Sequence, residues 1–352
     1  MRPFVSVIVP VRQEVGAIGC CLASILASRY PRERMEVIVA DGMSRDGTRA
    51  AVALVAKQDA RVRLLDNPAR TTPHALNRAI AASRGDVLVR VDAHSAIAPD
   101  YVAELVGFLE SHPDAWGVGG RMLTVAATKG WFAQAARVAL SHRFGVGNSG
   151  FRTAANKDAA PYQVDTVFNC AWPREVFRRV GDFDELLARS QDIEFSTRIL
   201  RAGGSLWLAP RAETTYFART RARAFLAHNW TNGVWSVLPS AYLRRTPVRW
   251  RHLIPLAFVS ALLASSAAAL LLPSLRWVPW AVAGPYLLAN LAASLSAAWR
   301  ERNGALAPLL PVAFAGLHLS YGAGSLWGVM RVAAILLKRR VRAGPPLSES
   351  TL

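Results

Sequence analysis

The stretch Pro73–Ser95, PHALNRAIAASRGDVLVRVDAHS, reads as a helix that breaks and then runs into a buried strand ending on charge. Thr72 is the expected N-cap and Pro73 the first helical residue, where a missing N–H costs nothing. The helix is expected over Pro73–Ser83 and the strand over Asp86–Asp92, with Asp92-Ala93-His94 at its carboxyl end.

The same alternation extends on both sides. Val5–Val11 is a β-rich apolar run, Gly16–Ser28 has helical spacing, and Met35–Ala40 is a second β run closed by Asp41. Asp46–Gln58 reads as a helix and Arg61–Asp66 as a strand; downstream, Pro99–Ser111 reads as a helix and Trp116–Leu123 as a strand. Alternating strands and helices predict an α/β domain with a mostly parallel sheet and helices on both faces. Such sheets bind ligands at the carboxyl ends of their strands, where Pro10, Asp41 and Asp92 fall. The middle, 124–204, is less regular: a glycine-rich Phe144–Gly150, a strand-like Gln163–Phe168 and a helix near Asp192–Ala202.

Charge and hydropathy divide the chain. The formal net charge is +18, Lys occurs only at 57, 129, 157 and 338, and the carboxylates after Phe195 are Glu213, Glu301 and Glu349. Three uncharged runs follow, 253–272, 277–299 and 303–330, and about 20 apolar residues suffice to cross a bilayer. The basic residues flank these runs instead of forming one solvated block, which favours an anionic membrane face over nucleic acid. The expected organisation is a domain over 1–213, an Arg-, Trp- and Tyr-rich interfacial region of amphipathic helices over 214–252, membrane segments over 253–337, and a basic tail over 338–352 whose last residues, Ala343–Leu352, are disordered. The third run holds Pro308, Pro311 and His318 and is a span, a broken helix or a re-entrant segment. A full third crossing would put Lys338, Arg339, Arg340 and Arg342 opposite Arg300 and Arg302, against the positive-inside tendency. Adjacent Cys20 and Cys21, with Cys170, suggest neither a disulfide nor a metal site, and MRPFVSVIVPV has no cleavage pattern. A cytoplasmic N-terminal domain on the cell inner membrane is the expectation.

Four clusters can do chemistry. Pro10 and Glu14 lie just after the first strand, as ligand contacts or as an ordinary turn with a helix-start acid. Asp41 ends a buried strand, where a carboxylate needs a partner, and a base N–H is one. Asp92 and His94, two apart on a strand end, share a face and can both ligate Mg²⁺ or Mn²⁺ bridging a diphosphate, or simply terminate the strand. Asp192 opens a helix, as an N-cap or first-turn acid that favours the helix dipole, or as a general base.

The joint pattern resembles the family 2 inverting glycosyltransferases of GT-A fold, in their exopolysaccharide branch. It rests on SVIVPVRQE, EVIVADGMSRDGT, the opening stretch, FGVGNSGFR with VDTVFN, REVFRRVGDFDE and RSQDIEFSTRILRAGG, and continues weakly through NGVWSVLP, RWRHLIP and LHLSYGAGSLWG. The resemblance implies a nucleotide-sugar donor, with uridine as the nucleoside, held by Pro10, Glu14 and Asp41, and Asp41 on the base. It implies a divalent cation at Asp92 and His94, Asp192 as catalytic base, and Asn77 and Arg90 near the donor. The acceptor would be lipid-linked, of polyprenyl type, or a membrane-proximal glycan. Gln13, His94 and Gln191 depart from the commoner Asn, Asp and Glu, and the QxxRW motif of processive synthases is missing, since Trp207 and Arg211 do not supply it. One hexose per acceptor is therefore expected. A nucleotidyltransferase would need a richer phosphate loop than 11–19, and a non-catalytic scaffold would not need carboxylates at 41, 92, 192 and 194.

Overall fold

The computed structural model describes residues 2–218, 221–243 and 249–343, the side chains only as far as 338; part of the basic tail, 344–352, lies outside them. The chain forms two units, one of 1–127 with 140–218 and one of 128–139 with 219–352.

The first unit is built on nine strands: β1 (Val5–Val11), β2 (Met35–Asp41), β3 (Val62–Asp66), β4 (Val87–Arg90), β5 (Ser95–Ile97), β6 (Ala115–Ala126), β7 (Tyr162–Gln163), β8 (Cys170–Pro173) and β9 (Ser205–Ala218). Their order is β3-β2-β1-β4-β8-β6-β9-β5, with β7 paired to β9. The first four are mutually parallel. β8 runs antiparallel between β4 and β6, and β6 is parallel to β9. The sheet is thus mixed, parallel in the half that carries the site. β1 shows why it is central: Val5, Val7, Val9 and Val11 enter one core and Ile8 the other, as the two-residue period of a strand covered on both faces requires.

The helices of this unit are α1 (Val15–Leu26), α2 (Thr48–Gln58), α3 (Thr72–Ala82) and α4 (Tyr101–Ser111), then, beyond the segment that belongs to the second unit, the short turns α6 (Arg143–Val146) and α7 (Gly150–Thr153), α8 (Arg174–Val180) and α9 (Gln191–Arg201). α5 (Trp131–Ser141) starts in the second unit and ends in the first. Trp172, Phe177, Phe183 and Phe195 stack together under α8 and α9. Several expectations shift. The cap of α3 is Thr71, with Thr72 its first helical residue. β4 stops at Arg90, so Asp92 and His94 sit on the turn into β5. Of the strand expected over Gln163–Phe168, only Gln163 pairs, together with Tyr162 before it, while Cys170–Pro173 forms β8. β9 continues to Ala218, five residues past the expected domain end at Glu213, because it pairs with β6 along that length.

The second unit holds α10 (Ala222–Val237), α11 (Trp250–Leu271), α12 (Val278–Arg300) and α13 (Leu310–Ala343). Segments 250–271, 273–300 and 310–338 are long and apolar enough to cross a membrane. The third uncharged run is not broken: Pro308 precedes α13, and Pro311 lies in its first turn, where proline is tolerated. Glu301 pairs with Arg137 of α5, and Phe132 meets Phe225 edge-on at 5.6 Å.

α10 and α13 touch through glycine. A Cβ on Gly324 would collide with the Trp230 carbonyl, and one on Gly233 with the Tyr321 carbonyl. Gly324→Val is expected to force the helices apart and cost about 1–3 kcal/mol by overpacking. The check is the melting temperature in detergent, with Gly284→Ala, which meets nothing within 4 Å, as the unchanged control.

Candidate active site

From β1 the chain builds β2 and β3 to one side and then places β4 on the other, so the connections reverse between β1 and β4. The carboxyl ends of those two strands border the crevice where open α/β sheets take ligands. Val11 stands in register with Asp41, and Asp41 with Asp66. Pairing between β1 and β4 ends at Ile8 and Arg90, which leaves Pro10 with β2 as its one strand neighbour. A proline is accommodated where the ladder has already opened.

The loops after β1 and β2 are laced together. Gln13 and Met43 both adopt positive φ, +56° and +57°. Gln13 N–H donates to Ser44 Oγ (2.9 Å), Arg45 N–H to Gln13 Oε1 (2.6 Å), and Glu14 N–H to Thr48 Oγ1 (2.9 Å). Gln13 therefore holds the loop.

Asp41 is fully buried. Its Oδ2 accepts from Ser44 N–H (2.9 Å) and from Arg49 Nη1 (2.9 Å), while Arg49 Nη2 reaches Asp66 at 2.7 Å. Its Oδ1 is buried and has no hydrogen-bond partner among the described residues. Glu36, on the same strand and also buried, is a useful contrast. It receives Ser6 Oγ, Arg84 N–H and the Arg63 and Arg84 guanidiniums, and these hold its carboxyl below the usual range despite burial. An unpaired buried oxygen costs about 1–3 kcal/mol, so Asp41 Oδ1 is kept at a cost that a ligand N–H would remove.

Arg90 and Asp92 form a nearly buried pair, Nε to Oδ1 at 2.8 Å and Nη2 to Oδ2 at 3.3 Å. Burial alone would raise the Asp92 carboxyl; Arg90, and then His94, more than reverse this and hold it low. Arg90 is likewise kept protonated against burial by Asp92 and then by Asp192. His94 Nδ1 lies 3.5 Å from Glu14 Oε1, and its ring meets Tyr216 edge-on at 5.7 Å.

Asp192 is the second residue of α9, a first-turn acid and not its cap; the cap is Ser190, at φ +63°. Asp192 is half-buried, and its Oδ1 accepts from Ile193 N–H at 2.9 Å. Burial holds the Arg152 guanidinium below its ordinary value, opposed by Tyr216 and then by Asp192. Arg152 stacks at 5.3 Å on Tyr216 and has a buried, unpartnered Nη1. The neighbouring Glu194 is committed to Arg198 (2.7 and 2.9 Å), which also caps carbonyls 180, 181 and 182.

Pro10, Glu14, Asp41, Arg90, Asp92 and His94 thus come from neighbouring strand ends, and Asp192 acts on the same Arg90 guanidinium from a hundred residues away. Asn77 is engaged otherwise. Its Nδ2 donates to Phe183 O and Glu185 Oε1, and its Oδ1 accepts from Phe183 N–H, so both amide donors brace the loop before α9. Asn169 escaped the sequence reading. It sits at φ +42°, receives Asp92 N–H on Oδ1 (2.9 Å), donates to Thr214 (3.0 Å) and takes the Tyr101 hydroxyl on its carbonyl. Nothing local marks it, because its partners lie on three separate elements.

No group of three His, Cys, Asp or Glu able to hold a metal ion occurs among the described residues. What the turn offers is Asp92 and His94, one carboxylate and one imidazole. That set fits a Mg²⁺ or Mn²⁺ ion completed by substrate phosphates and water, not an all-protein cage.

Residues 6–181 match the model of glycosyl transferase family 2. The chain is 29% identical over 338 residues to the succinoglycan biosynthesis protein ExoA of Rhizobium meliloti (strain 1021), covering 90% of this chain and 92% of that one. A second relative, dolichyl N-acetyl-alpha-D-glucosaminyl phosphate 3-beta-D-2,3-diacetamido-2,3-dideoxy-beta-D-glucuronosyltransferase of Methanococcus voltae, is 23% identical over 63% of this chain and 70% of its own. Among solved structures, mannosyltransferase PcManGT from Pyrobaculum calidifontis, in complex with GDP-Man and Mn2+, superposes with a TM-score of 0.58 at 23% identity, over 94% of this chain and 88% of that one. The mixed sheet is the GT-A fold, and the chain belongs to glycosyl transferase family 2.

Proposed function

We propose that this glycosyltransferase moves a single hexose, with inversion, from a nucleotide-sugar to a lipid-linked or membrane-proximal glycan acceptor in exopolysaccharide assembly. The observation that carries this reading is the buried Asp41 Oδ1, without a hydrogen-bond partner among the described residues, at the carboxyl end of β2, with the Arg90–Asp92 pair at the carboxyl end of the parallel strand β4; the field of Asp192 on Arg90 agrees with it. The name of the Rhizobium relative supports the polysaccharide setting, and that of the Methanococcus relative, with the three apolar helices, supports a lipid-borne acceptor.

In this reading Asp41 Oδ1 accepts an N–H from the base, with Pro10 and Glu14 lining the nucleoside. Asp92 and His94 would hold a divalent cation, as the Mn2+ of the mannosyltransferase complex suggests, which when bound would supply positive charge against the departing nucleoside diphosphate. Arg90 keeps Asp92 ionised and oriented. Asp192 takes the acceptor hydroxyl proton as that oxygen attacks the anomeric carbon and the bond to the diphosphate breaks. One displacement inverts the centre. The organisation proposed is a catalytic domain on the cytoplasmic face of the inner membrane, followed by interfacial and membrane-embedded helices.

The test is nucleoside diphosphate release by membranes carrying the protein, across UDP-, GDP- and dTDP-sugars. UDP-sugar consumption is expected. Turnover restricted to GDP-sugars would remove uridine, and turnover of none would remove the reading. Asp41→Asn would be isosteric but could turn a donor toward the base. It is expected to raise donor KM by about five- to a hundredfold, from about 1–3 kcal/mol of mispairing.

A further inference from the structure

We infer that α13 does not traverse the bilayer but lies across the α11–α12 hairpin beside α10, and that the partner of this pair is the lipid headgroup layer on the side from which α11 starts. The inference rests on reading α11 and α12 as a membrane-crossing hairpin.

Depth can be counted along that hairpin. Trp250 and Arg300 mark one end, and the turn 273–276 marks the other. Near its start α13 is held to α12: Asn290 Nδ2 donates to the Pro311 carbonyl at 3.0 Å. Asn290 is about 15 Å of helix from Arg300. A spanning helix antiparallel to α12 would gain a further ~15 Å of depth by Tyr321 and arrive near the far turn. Instead the Tyr321 ring lies 6.4 Å from His252, in the first turn of α11. A Cβ on Gly322 would collide with the Pro255 carbonyl and meet Val259 Cγ2 at 2.5 Å. Between these points His318 Nδ1 meets the Tyr286 hydroxyl at 3.1 Å. From Pro311 to His318 α13 thus deepens by about 6 Å, four residues of α12, and by Gly322 it is back at the level of Pro255 and Val259, so its net gain falls far short of a crossing. The far ends of the hairpin stay bare, with Leu270 86% and Leu271 80% exposed.

α10 runs alongside in the same direction. Gly316 approaches Leu226, Gly324 approaches Trp230 and Gly328 approaches Val234, and Ser236 and Ser325 share a hydrogen bond at 3.3 Å. The pair exposes Leu226, Trp230, Trp327 and Met330, an aromatic and aliphatic surface suited to the boundary between headgroups and chains. Charge agrees. With α13 lying across the hairpin, the basic residues 331 and 338–342 of the sequence would stay on the side of Arg300 and Arg302, as the positive-inside tendency asks and a third crossing would not allow. The chemistry that fits is an anionic leaflet.

The experiment uses the full chain in bacterial cells, with Ser274→Cys in the hairpin turn and an alkaline phosphatase or green fluorescent reporter at the C-terminus, and again at the N-terminus. Wild type, with its own three cysteines, sets the background for an impermeant maleimide. The expected result is Ser274→Cys labelled in intact cells well above that background, while both termini fluoresce and show no phosphatase activity. Labelling of residue 274 with an active C-terminal phosphatase would overturn the inference and leave the hairpin standing. Residue 274 shielded, on the same side as the N-terminus, would overturn the hairpin reading and the inference with it.

Discussion

Asp192→Asn is expected to lower kcat by about 10²–10⁴-fold, the range that a positioned general base supplies, while donor affinity stays near that of wild type. The reason is local. The one described bond to the Asp192 side chain is from Ile193 N–H to Oδ1, and an amide oxygen accepts it as well as a carboxylate does. The start of α9 is therefore preserved, and only the capacity to take a proton goes. In the proposed reading donor binding falls to Asp41 and the Asp92 turn, which the substitution leaves untouched. Single-turnover rates together with calorimetric titration of nucleotide-sugar separate the two. Glu194→Gln is the informative companion, because Glu194 is spent on Arg198; it should lower the melting temperature and spare most of the chemistry. Full activity in Asp192→Asn would move the base elsewhere.

Asp92→Asn should damage the protein twice. Its carboxylate is the salt-bridge partner of Arg90, whose side chain is 7% exposed. Removing one partner of a buried pair strands the other, at about 3–5 kcal/mol. Asp192 softens this, since it also acts on Arg90, so the lower end is expected, read as a fall in melting temperature. The second loss is activity: with half of the two-ligand set gone, turnover should collapse at cation levels that saturate wild type. His94→Ala removes the other ligand without stranding Arg90 and should lose activity with little change in stability. That contrast separates cation binding from the ion pair. Unchanged cation dependence in the double variant Asp92→Ala/His94→Ala would sink the metal assignment.

Much of the catalytic half was legible before any coordinates. Val5–Val11 and Met35–Asp41 appear where their apolar runs, crossed only by Ser6 and Glu36, put them, because a strand covered on both faces has few other sequences open to it. The carboxylates at strand ends were legible for a related reason: an acid closing an apolar run stands out. Boundaries were less secure. β4 ends at Arg90, two residues early, because Asp92 leaves the ladder to be held by Asn169.

Composition and order by themselves determined the α/β class, the candidate carboxylates and the three apolar segments, since each is a local property of period or charge. Only the tertiary structure decided which of them meet. It spent Asn77 on the loop at Phe183 and Glu194 on Arg198, left Asp41 Oδ1 without a partner among the described residues, and gave Asp92 to Arg90. It also carried α13 unbroken past its glycines, which α10 and α11 use for close approach. Each of these outcomes is a contact between residues distant in sequence. Hydropathy can say that a side chain must find a partner, but only the folded backbone selects which one.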